Sequence, residues 1–129
     1  LFPDARNALH LFSGSIKPSV SSYSIFDTFD KKHGDAHALA TYYPAEEFDL
    51  ILADPPYSKD DAARYGTPMI DRRKVMREVA KVLCRDGHLV WLDTVWPMVA
   101  RHVLRRVGVI GIYRSSNHRV RAAFFFRKP

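Results

Sequence analysis

Short apolar runs separated by polar turns dominate the pattern of this chain and predict β-strands. The clearest is FDLILA at residues 48–53, an apolar run that predicts a strand buried on both faces, as in a parallel sheet. Residues 33–39 have the pattern of a strand end followed by a turn. The other predicted strands are residues 8–12, 24–27, 88–93, 109–113 and 120–127.

Apolar residues also recur at helical spacing in two segments. Residues 71–83 predict a helix with Asp71 as its N-cap and Gly87 as a stop just past its end. Its periodic apolar positions are Val75, Met76, Val79, Ala80, Val82 and Leu83. Residues 97–107 predict a second helix, because Pro97 suits a first helical turn.

Strands that alternate with helices predict an α/β fold: a Rossmann-like, doubly wound and mostly parallel sheet. The polar link SSNH between the last two strands predicts a C-terminal antiparallel hairpin. The length of 129 residues suits a single domain over residues 1–129. In such sheets ligands bind at the carboxyl ends of the strands, so the polar turns that follow the strands are expected to form the site.

The composition narrows the class of protein. With 47 % hydrophobic and 26 % charged residues the chain is typical of globular proteins, and it has no apolar run long enough for a membrane span. The first residues lack the pattern of a signal peptide. The single cysteine, Cys84, cannot form an internal disulfide, which favours a cytoplasmic location. The formal charge of +6 favours polyanionic partners, nucleic acid first.

Three short motifs lie at or near predicted strand ends: LFSGS at residues 11–15, GDA at 34–36 and DPPY at 54–57. Together they resemble the class I S-adenosylmethionine-dependent methyltransferases, and more narrowly the enzymes that methylate adenine N6 or cytosine N4 in DNA. The resemblance implies S-adenosyl-L-methionine as cofactor and an exocyclic amino group of a nucleobase as target, with adenine N6 in DNA as the first choice. No metal is expected, since the six histidines show no metal-ligand spacing.

The residues of the DPPY motif suit the chemistry that this resemblance implies. An exocyclic amino nitrogen is a poor nucleophile because its lone pair is delocalised into the ring. A site must therefore accept hydrogen bonds from the amino group and align the nitrogen with the methyl donor. By resemblance, the Asp54 carboxylate and the Pro55 carbonyl accept these bonds, Pro56 keeps the corner rigid, and Tyr57 stacks on the base.

The cofactor-binding residues are likewise implied by the resemblance: Phe12, Ser13, Gly14, Asp27, Asp35 and Ala36. Asp27 is the expected ribose-binding carboxylate because it directly ends an apolar run, and Asp30 is the competing choice. Asp35, with the backbone of Ala36, is expected to bind the adenine amino group. The sequence departs from the family at Ile16, where a second glycine often stands.

The sequence is compatible with more than one substrate and partner. We expect no separate target-recognition domain in residues 1–129, so recognition would come from short loops or from a partner subunit, and RNA is an alternative to DNA. The departure at Ile16 favours a second hypothesis, a degenerate methyltransferase fold that binds nucleic acid or a partner without catalysis. Candidate DNA contacts are the expected outward residues of the two helices, Arg72, Arg73, Lys74, Arg77, Lys81, Arg101, Arg105 and Arg106.

Overall fold

The computed structural model describes residues 2, 4–13, 25–30, 33–56, 60, 63, 69–114 and 119–129. This part of the chain forms the strands β1 (Asn7–Leu11), β2 (Ile25–Phe29), β3 (Phe48–Ala53), β4 (Leu83–Asp93), β5 (Arg105–Arg114) and β6 (Arg119–Arg127). A 3₁₀ helix covers Ala36–Thr41, and the α-helix α1 covers Arg72–Val82. No helix within the described ranges is long and apolar enough to cross a membrane.

The strands form one mixed sheet in the order β2-β1-β3-β4-β6-β5. β1 pairs in parallel with β2 and β3, and β3 pairs in parallel with β4. β6 lies between β4 and β5 and is antiparallel to both. The predicted Rossmann-like, mostly parallel sheet with a C-terminal antiparallel hairpin is therefore confirmed. All strands except β6 run in one direction, so their carboxyl ends share one edge of the sheet.

Helix α1 forms because its apolar residues share one face and its N-terminus is capped. The Asp71 side chain accepts a hydrogen bond from the Lys74 N–H at 3.1 Å, which confirms the predicted N-cap. Val75, Met76 and Val79 are fully buried against the sheet. The strand residues in the same core include Leu9, Leu11, Ile51, Leu89, Trp91 and Phe126.

The predicted second helix over residues 97–107 is wrong. The segment contains one turn, in which the N–H groups of Val103 and Leu104 donate to the Ala100 carbonyl at 2.9 and 3.1 Å. The chain then enters β5 at Arg105 and pairs with β6. β-branched residues favour an extended strand over a helix, and pairing with β6 overrides the local helical spacing. In β5 these residues are Val107, Val109, Ile110 and Ile112.

The transition from α1 to β4 also differs from the prediction. β4 begins at Leu83, directly after the helix, so Gly87 is not a helix stop and Cys84 is a strand residue. Gly87 instead lies where the register between β3 and β4 shifts. A Cβ atom on Gly87 would lie 2.8 Å from the carbonyl oxygen of Cys84, so this bend requires glycine.

An ion pair joins the start of α1 to the end of β4. The fully buried Asp93 accepts hydrogen bonds from Arg72 Nε at 2.5 Å and from Arg72 Nη2 at 3.0 Å. Trp91 Nε1 and the Thr94 N–H donate to the same carboxylate at 2.9 and 2.8 Å. Arg72 therefore points toward the sheet, which corrects its predicted place on the outward face of the helix.

Replacing Asp93 with asparagine is expected to destabilise the fold by about 3 kcal/mol, because Arg72 would lose its buried partner. The matched control is Asp86→Asn, which removes an exposed carboxylate that lies 2.7 Å from Arg127 Nη2. That change is expected to cost about 0–1 kcal/mol. Urea unfolding measures both free energies, and equal losses would contradict a special role for the buried pair.

Candidate functional site

The carboxyl edge of the sheet brings the predicted motifs together. Leu11 pairs with Phe29 of β2 and with Ala53 of β3, so the residues that follow β1, β2 and β3 lie side by side. The Ser13 N–H donates to the Phe29 carbonyl at 3.3 Å and holds the first turn against the end of β2. Among the described residues, no group of three or more His, Cys, Asp or Glu side chains could hold a metal ion.

The turn after β1 carries two unusual features. Phe12 has a φ of 58°, in the left-handed region that glycine favours, and such strain in folded proteins clusters at functional sites. Ser13 is buried, and its Oγ makes no hydrogen bond within the described part of the chain. Buried hydroxyls are normally hydrogen-bonded, so this oxygen is suited to a polar ligand. Gly14 lies outside the described residues.

The two candidate ribose ligands occupy different places. Asp27 is the third residue of β2 and does not end the strand, which corrects the expectation that favoured it. Its Oδ2 accepts a hydrogen bond from the Tyr43 hydroxyl at 2.9 Å. Burial and this bond raise the pKa of Tyr43, so the hydroxyl stays protonated and donates. Asp30 directly follows β2 at the carboxyl edge, and its Oδ1 lies 3.0 Å from Nδ1 of His33.

The GDA motif forms the start of the 3₁₀ helix. Gly34 has a φ of 156°, and a Cβ atom there would lie 2.3 Å from the ring of Tyr42, so the position requires glycine. Asp35 is the N-cap of this helix, and its Oδ1 accepts the His37 N–H at 2.9 Å. Ala36 is the first helical residue and is buried. The turn lies close to Asp30, whose carbonyl accepts the Gly34 N–H at 3.3 Å.

His37 connects this motif to helix α1. Its Nε2 accepts the Asp71 N–H at 2.8 Å, which places the ring proton on Nδ1, 2.8 Å from Asp35 Oδ1. The hydrogen bonds from the backbone and ring of His37 lower the pKa of Asp35, so this carboxyl group is ionised at neutral pH. Both bonds use Oδ1. The second oxygen of the exposed Asp35 side chain is therefore available to a ligand.

The corner after β3 is the third part of the edge. Asp54 and Pro56 are half-buried and Pro55 is buried, whereas Tyr57 lies outside the described residues. His10 of β1 is close enough for its charge to interact with Asp54. Burial lowers the pKa of His10, although the negative charge of Asp54 opposes the shift. His10 is therefore neutral at pH 7.

Sequence reasoning missed the side chains that support this edge. His37 follows GDA by one residue, and Asp-x-His at the start of a helix is a local hydrogen-bonding signal that could have identified it. Tyr43 and Asp93 have no such signal, because their partners Asp27 and Arg72 lie 16 and 21 residues away. Long-range contacts of this kind are visible only in the folded chain.

Comparison with known proteins identifies the fold. A search of protein families and of curated proteins finds no match to this sequence. Among solved structures, TrmN from Thermus thermophilus gives a TM-score of 0.67 at 15 % identity, over 96 % of this chain and 44 % of that one. The N-methyltransferase NodS from Bradyrhizobium japonicum WM9, in complex with S-adenosyl-L-homocysteine, gives 0.57 at 17 % identity, over 97 % and 79 %. The [4+2]-cyclase SpnF gives 0.56 at 12 % identity, over 96 % and 74 %.

The chain has the fold of these proteins. It spans less than half of the TrmN structure, and identities of 12–17 % establish the fold alone. A cyclase shares that fold, so the activity of this chain has to be argued from the residues at its carboxyl edge.

His10→Gln is expected to change how stability depends on pH. Burial keeps His10 neutral in the folded protein, whereas the unfolded chain protonates it below about pH 6.5. The unfolded state then binds more protons, so the wild type loses stability as pH falls. In urea unfolding between about pH 7 and about pH 5, the variant should lose less stability than the wild type. The control His102→Gln, at an exposed position, should follow the wild type. If the stability of His10→Gln depended on pH as that of the wild type does, burial of neutral His10 would not be the cause of the loss of stability at low pH.

Proposed function

We propose that this chain transfers a methyl group from S-adenosyl-L-methionine to an exocyclic amino group of a nucleobase in nucleic acid, with adenine N6 in DNA as the first choice. The observation that carries the proposal is the convergence of Asp30, Asp35 and the Asp54-Pro55-Pro56 corner on one edge of the sheet. NodS, an N-methyltransferase of the same fold, holds S-adenosyl-L-homocysteine in its structure, which supports this choice of cofactor.

The described residues fit the cofactor at the ends of β1 and β2. The buried Ser13 Oγ offers an unused hydrogen-bonding group beside the first turn. Asp30 follows β2, the position from which a carboxylate binds ribose hydroxyls in sheets of this type. We therefore favour Asp30 over Asp27, whose Oδ2 already accepts from Tyr43. Asp35, with the Ala36 backbone, would bind the adenine amino group.

The corner after β3 would position the target nitrogen. The cofactor supplies an electrophilic methyl group on a positively charged sulfur. The Asp54 carboxylate would accept one amino hydrogen and the Pro55 carbonyl the other. These acceptors favour the electron-rich, more tetrahedral nitrogen of the transition state. As the N–C bond forms, the S–C bond to the methyl group would break and leave a neutral thioether, and the nitrogen would become positive and lose a proton, which Asp54 would accept.

The substrate is proposed on chemical grounds. A target base has to leave its stack before an amino group can reach the corner, and Tyr57 would then stack on it. The net charge of +6 supports a polyanionic substrate. Adenine N6 and cytosine N4 present the same amino chemistry, and RNA carries the same bases. The assay therefore has to include both DNA and RNA and to identify the methylated base.

Asp54→Ala is expected to lower methyl transfer at least about 100-fold, because it removes a hydrogen-bond acceptor that acts in the transition state. The measurement is transfer of labelled methyl from S-adenosylmethionine to unmethylated DNA, with RNA in parallel and nucleoside analysis to identify the base. Asp86→Asn, at the opposite edge of the sheet, is the control and should keep wild-type activity. Undiminished label in the Asp54 variant would rule out the proposed role of the corner.

Asp30→Asn is expected to weaken binding of S-adenosylhomocysteine by about 10- to 100-fold, since a hydrogen bond to a charged group contributes about 1.5–3 kcal/mol. Asp27→Asn keeps an oxygen for Tyr43 and should bind within about threefold of the wild type. Titration calorimetry of both variants measures the affinities. If Asp27→Asn weakened binding more than Asp30→Asn did, Asp27 would be the ribose ligand.

A second candidate is a subunit of this fold that binds nucleic acid or a partner without catalysis. The short connection between β1 and β2 favours this candidate. Only 13 residues lie between Leu11 and Ile25, and they link two neighbouring parallel strands. A parallel crossover of a dozen residues is close to the shortest that is found. Wild-type protein that binds no S-adenosylhomocysteine in the same calorimetric titration would favour this candidate over the enzyme.

A further inference from the structure

Positive charge is concentrated in the last part of the chain. Residues 94–129 contain eight lysines and arginines and no aspartate or glutamate, whereas residues 1–93 contain twelve against fourteen acids. This basic segment comprises β5, β6 and the link that joins β4 to β5. A basic surface without acids is the electrostatic signature of a polyanionic partner.

A groove of about 440 Å³ lies within this segment, between the link and the sheet. We call it the Trp96 groove, and its lining residues include Trp96, Met98, Arg101, Arg105, Arg106 and Phe126. The three arginines are exposed, and none forms an ion pair with a described residue.

Two other cations of the segment have carboxylate partners. Arg127 Nη2 lies 2.7 Å from Asp86, and Lys128 Nζ lies 3.8 Å from Glu46. The three arginines of the Trp96 groove therefore differ from Arg127 and Lys128, because no described carboxylate pairs with them. Phosphate groups could enter the groove without displacing an existing carboxylate partner.

An exposed aromatic ring lies among the arginines. Trp96 is 52 % exposed, and its ring packs edge-on against Phe124 with centroids 5.3 Å apart. Arg106 Cζ lies 4.0 Å from the centroid of the same ring. The sheet thus holds the indole in place, Arg106 lies over one face of the ring, and about half of the residue remains exposed. An aromatic platform beside cations is the arrangement on which single-stranded nucleic acid bases stack.

Met98 links the Trp96 groove to the start of α1. This residue lines the Trp96 groove and also lines a second groove at the start of α1, together with Asp71 and Arg72. Asp71 contacts His37, the partner of Asp35. Across the sheet, the corner after β3 is three inter-strand steps from β5, roughly 14 Å at the usual strand spacing. Arg105 and Arg106 are level with Leu50 and Ile51 in the strand register, so the path to Asp54 also runs roughly 10–13 Å along the strands. A few nucleotides would span this distance.

We infer that the Trp96 groove is a docking site for a polynucleotide strand, in which phosphates pair with Arg101, Arg105 and Arg106 and a base stacks on Trp96. This inference rests on the proposed function and deepens it: the Trp96 groove would hold the strand whose target base enters the corner at Asp54. The exposed indole favours a nucleic acid over an acidic peptide, because a peptide of carboxylates has no base to stack.

The test is fluorescence anisotropy of labelled single-stranded DNA and RNA of about 12 nucleotides, without methyl donor and at several salt concentrations. The triple variant Arg101→Gln, Arg105→Gln, Arg106→Gln should bind at least about 30-fold more weakly, and the slope of log affinity against log salt should fall by about 2. The control triple Arg6→Gln, Arg85→Gln, Arg127→Gln removes the same formal charge from exposed residues that do not line the Trp96 groove, and it should bind within about threefold of the wild type.

Trp96→Ala separates stacking from charge. It should weaken binding about tenfold and leave the salt slope unchanged, since it removes a stacking platform and no cation. Circular dichroism melting confirms that each variant is folded. The DNA and RNA arms identify which polynucleotide binds more tightly.

Three outcomes would overturn the inference. They are equal losses in the two triple variants, full affinity in Trp96→Ala, and displacement of the oligonucleotide by polyglutamate of equal charge as effectively as by unlabelled oligonucleotide. The last would identify a surface for acidic peptides. The binding assay contains no methyl donor, so a negative methyl-transfer assay would not affect the evidence for docking. Conversely, a negative docking assay would not affect the calorimetric titration with S-adenosylhomocysteine.

Discussion

The buried ion pair between Arg72 and Asp93 is the interaction on which the carboxyl edge depends. It ties the first turn of α1 to the end of β4, where an unpaired carboxylate would be strongly unfavourable. From α1 the connection continues through the Asp71 N–H to His37, and from His37 to Asp35. Side chains that belong to separate elements are thereby held in one continuous network across the edge.

Stability alone does not explain the residues that this network surrounds. Phe12 adopts a left-handed conformation, and the buried Ser13 hydroxyl finds no partner among the described residues. Either feature costs free energy that a plain turn would avoid. Both lie beside Asp30, and the corner at Asp54 follows the neighbouring strand. Unfavourable local features next to partly exposed carboxylates are typical of a ligand site.

The sequence predicted elements where local pattern and long-range pairing agree, as in β3, α1 and the final hairpin. It failed over residues 97–107, where helical spacing is overridden by pairing with β6. It misplaced Asp27, because β2 extends through Phe29, whose pairing with Leu11 lengthens the strand. The motifs located the edge correctly, since each lies at or near the end of a strand or the start of a helix. The pairing of Arg72 with Asp93 could not be predicted, because no periodicity links residues so far apart.

Amide hydrogen exchange with and without S-adenosylhomocysteine, at about 1 mM so that a weak complex is still populated, tests whether the carboxyl edge of the sheet binds the cofactor. We expect slower exchange in peptides that cover residues 12–13, 30–37 and 53–56, where the ligand would lie. Peptides from the middle of β5 should be unchanged and serve as the internal reference. Unchanged exchange along the whole chain, or protection confined to β5 and β6, would contradict the assignment of the carboxyl edge as the cofactor site.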